Sequence, residues 1–184
     1  MKENKTFNIV SAGTSLLVLI LVFAMNFVEI GNTDKGLTAW NLFSGKDGSG
    51  GIGIGFLVLL AVILLIVNII LQFVQIDAVT EFAKKYSQKP VNVLVNNITA
   101  IACAGIFLIV GFMAPDALKE LLKNVMGDFK VDFGGYGNYA NAIGGTVVDA
   151  MNFSMAAGAW FIIILSASMF FLPKFANEKK EATL

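Results

Sequence analysis

Four long runs of apolar residues dominate the pattern along the chain. They extend over about 7–28, 52–76, 91–114 and 153–172, and none has a charged residue in its interior. A helix rises about 1.5 Å per residue, so roughly 20 apolar residues cross a hydrocarbon core about 30 Å thick. Because unpaired backbone groups are costly in lipid, each run is predicted to be a transmembrane helix. The fold class predicted is an all-α membrane protein, in which residues 1–184 form a single domain built on a four-helix transmembrane bundle.

The same pattern allows two alternatives, a soluble protein with buried helices and a cleaved signal peptide at the N-terminus. Buried helices of a soluble protein rarely contain four uncharged runs of this length, so a soluble all-α fold is disfavoured. Lys2 and Lys5 precede the first apolar run, as in a cleaved signal peptide. No small-x-small cleavage pattern follows that run, and we therefore expect the first span to be retained.

The lysines predict which side of the membrane each segment occupies. Positively charged residues near the ends of spans are concentrated on the cytoplasmic side. The side formed by the N-terminus, the loop 77–90 and the tail 173–184 carries eight lysines: Lys2, Lys5, Lys84, Lys85, Lys89, Lys174, Lys179 and Lys180. The loops 29–51 and 115–152 carry five: Lys35, Lys46, Lys119, Lys123 and Lys130. The pattern predicts a multi-pass protein of the cell membrane with both termini in the cytoplasm and two outer loops.

The second outer loop is predicted to begin with a helix. Pro115 is well placed in a first helical turn, and an apolar stripe follows it at Leu118, Leu121, Leu122 and Val125. We therefore expect a short amphipathic helix that either lies along the outer surface of the membrane or caps the helix bundle. The alternation of apolar and charged residues over 129–133 then indicates a short strand.

Aromatic residues next to glycines are concentrated in both outer loops. The second outer loop, 115–152, is the longer one, and a glycine-rich aromatic loop of that length is uncommon unless it is functional. This second loop is predicted to form either a surface that binds a partner protein or a lid over the helices. The candidate partner surface comprises Trp40, Phe43, Phe129, Phe133, Tyr136 and Tyr139.

Polar residues recur at helical spacing within the cytoplasmic halves of the spans, which places each set on one helical face. Amides that face lipid are costly, so these faces are expected to point at one another. They either hold the helices together by hydrogen bonds or line a hydrated vestibule. Ion and proton pathways usually contain ionisable residues at depth, and their absence here favours packing. The residues are Asn8, Ser11 and Ser15 in the first span, Asn68, Gln72 and Gln75 in the second, and Asn92, Asn96 and Thr99 in the third.

The composition excludes most enzymatic chemistry. The chain has no histidine, all 13 basic residues are lysines, and the net charge is zero. Catalytic arrangements that need histidine are therefore absent, and Cys103 alone cannot build a structural zinc site. Without arginine, recognition of phosphates and bases is disfavoured. We expect no enzymatic activity, no cofactor, no metal site and no nucleic-acid partner.

Two short motifs carry a resemblance to known membrane proteins. These are GLTAWNLFSG after the first span and Gly158-Ala159-Trp160 at the entry to the fourth. With them, the layout resembles the small four-span membrane proteins that are common in Gram-positive bacteria. It is also similar to the claudin-type tetraspans, although this chain lacks their paired loop cysteines and has its longer outer loop second.

The functional expectation is a non-enzymatic bilayer protein that binds a partner protein or forms a homo-oligomer. Contacts would run through the outer loops or lateral helix faces, in an accessory, assembly or immunity role. The alternative is a channel or carrier subunit that uses a polar vestibule on the cytoplasmic side.

Overall fold

A computed structural model describes residues 5–31, 36–44, 54–74, 79–81, 85, 90–128 and 152–174. These residues are mostly helical. The helices are α1 (Lys5–Ala24), α2 (Ala39–Ser44), α3 (Gly55–Leu71), α4 (Val91–Asp128) and α5 (Ala157–Ser168). A 3₁₀ turn, Met169–Phe171, follows α5. Three short strands are β1 (Asn26–Ile30), β2 (Gly36–Thr38) and β3 (Phe153–Met155).

The described helices have apolar exteriors. Three segments are long and apolar enough to cross a membrane, namely Lys5–Ala24, Val91–Leu122 and Ala157–Lys174. The shorter apolar helix α3 has 17 residues. Phe56, Phe112 and Phe161 are 64%, 62% and 63% exposed, whereas Asn68 and Asn96 are fully buried. Exposed apolar faces around buried amides suit a lipid environment rather than water.

The four longest helices share one core. Helix α1 contacts α3 and α5, and α4 contacts the same two helices. The core includes Val18, Val22, Val58, Leu65, Phe107, Val110 and Ile162. The helices that follow one another around this core alternate in direction, so their ends gather at two levels. We call the level near the start of α1 the polar end and the level near the three strands the sheet end.

The sheet links the segment after α1 to the segment before α5. It is antiparallel, with β1 between β2 and β3. Val28 of β1 pairs with Leu37 on one side and with Met155 on the other. Phe27 points into the core, where its ring centroid lies 6.1 Å from that of Phe107. The short sheet is therefore part of the same packed unit as the helices.

The helix boundaries differ from the predicted spans at the sheet end. The predicted span 7–28 ends as a helix at Ala24, and its last residues belong to β1. The predicted span 153–172 begins with β3, and its helix starts at Ala157. The run 52–76 is helical from Gly55 to Leu71. An all-α fold was thus wrong for this region, because an apolar run does not distinguish a buried strand from a helix.

Helix α4 continues through Pro115 instead of stopping before it. The residues predicted to form a separate amphipathic helix therefore continue the helix of the third predicted span, and no break separates the two. Proline removes one backbone hydrogen bond from a helix interior, but Leu118 one turn later is buried in the core. At about 1.5 Å per residue, 38 residues extend about 57 Å, well beyond the thickness of a hydrocarbon core.

Candidate functional site: a polar cluster inside the helices

Seven buried polar residues meet at the polar end of the helices. We call them the polar cluster, and they are Asn8, Ser11, Ser15, Asn68, Gln72, Asn92 and Asn96. Three helices contribute, because positions spaced by three, four or seven residues share one helical face. Of the nine polar residues in the predicted stripes, these seven lie on the inner faces of α1, α3 and α4 or, for Gln72, just after α3.

Asn68 joins α3 to α1. Its Nδ2 donates to Oγ of Ser15 at 2.8 Å and to Oγ of Ser11 at 3.3 Å. Its Oδ1 accepts from Nε2 of Gln72 at 3.0 Å, one helical turn further along. Asn68 is fully buried, so these three bonds satisfy an amide that has no access to solvent.

Asn96 joins α4 to α1 and to the end of α5. Oγ of Ser11 donates to its Oδ1 at 2.7 Å, and its Nδ2 donates to the carbonyl oxygen of Met169 at 2.7 Å. Met169 also lies beside Ser15, whose Oγ is 3.9 Å from its sulfur. The 3₁₀ turn after α5 is thereby tied to the cluster, which connects all four long helices.

Asn92 closes the cluster at the first turn of α4. Its Nδ2 donates to Oδ1 of Asn8, and its Oδ1 accepts from the backbone N–H of Val93 at 2.9 Å. The backbone carbonyl of Asn92 accepts from Nε2 of Gln72 at 3.2 Å. The side chain of Gln72 thus connects the end of α3 to the start of α4.

Other residues of the predicted stripes stand apart from these bonds. Thr99 is buried on α4 but has no bond to the cluster among those described, and Gln75 lies outside the described residues. Ser166, a further buried hydroxyl on α5, donates to the carbonyl of Ile162 in its own helix at 2.7 Å. Met169 was not anticipated, because its contribution is largely a backbone carbonyl and no side-chain pattern signals that.

The chemistry available to the cluster is limited to neutral hydrogen bonding. Its members are four amides of asparagine, one of glutamine and two hydroxyls, so none carries a charge. Among the described residues, no group of three or more histidine, cysteine, aspartate or glutamate side chains could hold a metal ion. Interhelical bonds of this kind contribute about 0.6 kcal/mol each on average in a membrane protein. The geometry is therefore suited to holding helices in register.

The predicted partner surface is only partly described. Trp40 of α2 is half-buried, with ring centroids 4.8 Å from Phe23 of α1 and 5.1 Å from Phe43. Both aromatic residues of the first loop thus pack at the sheet end against their own chain. The four members from the second loop, Phe129, Phe133, Tyr136 and Tyr139, lie outside the described residues.

Two glycines allow the sheet end to pack against the helices. A Cβ atom on Gly55 would lie 2.0 Å from the carbonyl oxygen of Leu42, and one on Gly158 would lie 2.3 Å from that of Asn26. Since real Cβ contacts are longer than 3.0 Å, only glycine fits at either position. The first contact places α2 on α3, and the second places β1 on α5.

Comparisons of the chain with protein families, with curated proteins and with solved structures found no match.

Proposed function

We propose that the chain is a non-enzymatic four-span protein of the cell membrane that binds a partner protein through its outer loops. In this proposal the four long helices form a transmembrane bundle, and the polar cluster holds them in register. The sheet end faces outward and presents the second loop. Assembly with another protein or a second copy would suit an accessory, assembly or immunity role.

One observation supports this proposal most strongly. Strand β1, which follows α1, pairs with β3, which precedes α5, so the two segments at the sheet end are held to one another. The second loop leaves α4 after Asp128 and returns at β3, so both of its ends are attached to packed elements. Anchoring the two ends of a binding segment lowers the entropy that the segment loses on binding a partner.

The orientation of the protein is a testable part of the proposal. Lys174, at the polar end, has its ammonium group 5.6 Å from the ring centroid of Phe171, as expected near a membrane interface. Glu81 and Asp116 are exposed and lie on opposite predicted sides. A membrane-impermeant maleimide should label Asp116→Cys in intact cells and Glu81→Cys only after permeabilisation. Cys103 is buried and provides the unlabelled background, and the reverse labelling pattern would contradict the orientation.

The outer loop is tested by replacement. A glycine–serine linker of equal length in place of residues 129–145 should abolish crosslinking to the partner in the native membrane, because the aromatic side chains are removed. Insertion should persist, measured as resistance to extraction at alkaline pH. A similar replacement of 175–184 serves as the control and should leave crosslinking intact. Unchanged capture after the first replacement would refute a role for this loop.

A second candidate function is that of a channel or carrier subunit, and one unsatisfied acceptor in the polar cluster favours it. Oε1 of Gln72 is buried without a hydrogen-bond partner, which suits a vestibule that admits polar molecules. Vesicles containing the protein would then show flux of a small polar solute, and Gln72→Leu combined with Asn96→Leu would remove it. Asn97→Leu is the matched control. If the unmodified protein shows no flux above empty vesicles, this candidate is dropped.

A further inference from the structure

The polar cluster contains one acceptor that the described residues leave unused. Gln72 is 3% exposed, and its Oε1 has no hydrogen-bond partner. The nitrogen of the same amide uses both of its N–H groups, because Nε2 donates to Oδ1 of Asn68 and to the carbonyl oxygen of Asn92. A buried acceptor without a partner is rare in folded proteins, and each case calls for a physical explanation.

Rotating the amide does not remove the unpaired atom. With oxygen and nitrogen exchanged, Oε1 would face Oδ1 of Asn68 at 3.0 Å and the carbonyl of Asn92 at 3.2 Å. Two acceptor–acceptor contacts would then replace two hydrogen bonds, so the network fixes the orientation of Gln72. The unused acceptor is therefore a property of this cluster.

We propose that an ordered water molecule binds in the polar cluster and donates a hydrogen bond to Oε1 of Gln72. Water matches the site because it can donate the hydrogen bond that Oε1 lacks, and buried water typically binds polar groups that are otherwise unsatisfied. A cation is a poor match, because no member of the cluster is ionisable and an uncompensated charge is costly at this depth. The inference does not depend on the partner-binding role, since packing and hydration of the cluster are independent of the outer loops.

The test is a crystal structure of the full chain in a lipidic mesophase, at a resolution that reveals ordered water. The unmodified protein should show a solvent peak about 2.7–3.2 Å from Oε1 of Gln72. In Gln72→Met, which preserves side-chain length and removes both polar atoms, that peak should be lost while ordered water elsewhere persists.

The unmodified protein decides the question even if the variant does not fold. An Oε1 atom with no neighbouring peak, or one that accepts from a group of the chain itself, would overturn the proposal. A peak with the short distances and regular geometry of a metal ion would overturn it as well. Because this readout is structural, its failure leaves the crosslinking result of the outer-loop replacement unaffected.

Discussion

Replacing Asn68 with leucine should lower the free energy of unfolding by about 2 kcal/mol. The substitution removes three hydrogen bonds, two to the hydroxyls of Ser11 and Ser15 and one from Gln72. The two bonds to the serines join different helices and contribute about 0.6 kcal/mol each, and the bond from Gln72, one turn along the same segment, adds to the loss. The three partners retain other hydrogen bonds, so the additional penalty for stranded polar groups is small.

The measurement is unfolding in mixed micelles of increasing SDS content. The single cysteine offers a direct probe, because Cys103 is buried in the folded protein and its labelling by a maleimide reports opening of the helices. Asn97→Leu is the matched control on α4. Oδ1 of Asn97 is buried without a partner, so its replacement should leave stability unchanged or slightly higher. Equal losses for both variants would show that burial of leucine, and not the hydrogen bonds, controls the result.

Replacing Gly55 with alanine should destabilise the sheet end by about 1–3 kcal/mol, the usual cost of overpacking a well-packed core. The added Cβ would lie 2.0 Å from the carbonyl oxygen of Leu42 and 2.7 Å from Cα of Phe43. Both neighbours are backbone atoms of α2, which cannot move aside by changing a rotamer. We expect α2 to shift away from α3.

Trp40 reports that shift, because it lies on α2 and its ring packs against Phe23 and Phe43. In a Trp160→Phe background, Gly55→Ala should change the emission of Trp40 and lower the unfolding midpoint. Gly13→Ala is the control on α1, where a Cβ atom meets nothing within 4 Å. Helical content should be retained in both variants. An unaltered Trp40 environment in Gly55→Ala would disprove close packing of α2 on α3.

The helices and the inner polar faces could be anticipated because both follow helical periodicity. A long uncharged apolar run indicates a helix compatible with lipid. Amides at positions i and i+4 indicate the helical face that points away from lipid. Asn68 and Gln72 illustrate this, since their spacing alone places them on one face, where they bond to one another. The exact hydrogen-bond partners of each amide depend on how the helices are rotated against one another. Local sequence patterns do not determine that rotation.

The sheet could not be anticipated from the same pattern. Residues of β1 and β3 appear as the last and first turns of apolar helices, because burial between strands and burial in lipid require the same residue types. What distinguishes them is long-range pairing, as between Val28 and Met155. The resemblance to Gram-positive four-span proteins, and the more distant one to claudin-type proteins, stays a prediction.

The extension of α4 escaped prediction for a different reason. Proline at position 115 usually marks a helix boundary, and the following apolar stripe suggested a separate element. Burial of Leu118 in the core stabilises the helical conformation of the residues that follow the proline. Tertiary packing here outweighs the local preference against proline in a helix interior.

Removal of detergent is the most direct test of the account as a whole. If lipid surrounds the apolar faces that carry Phe56, Phe112 and Phe161, the purified chain should aggregate when detergent is withdrawn. Reconstituted in vesicles, it should retain its helical spectrum and resist alkaline extraction. A monodisperse, fully helical protein in detergent-free buffer would contradict the membrane assignment, and with it the roles given to the polar cluster and the outer loops.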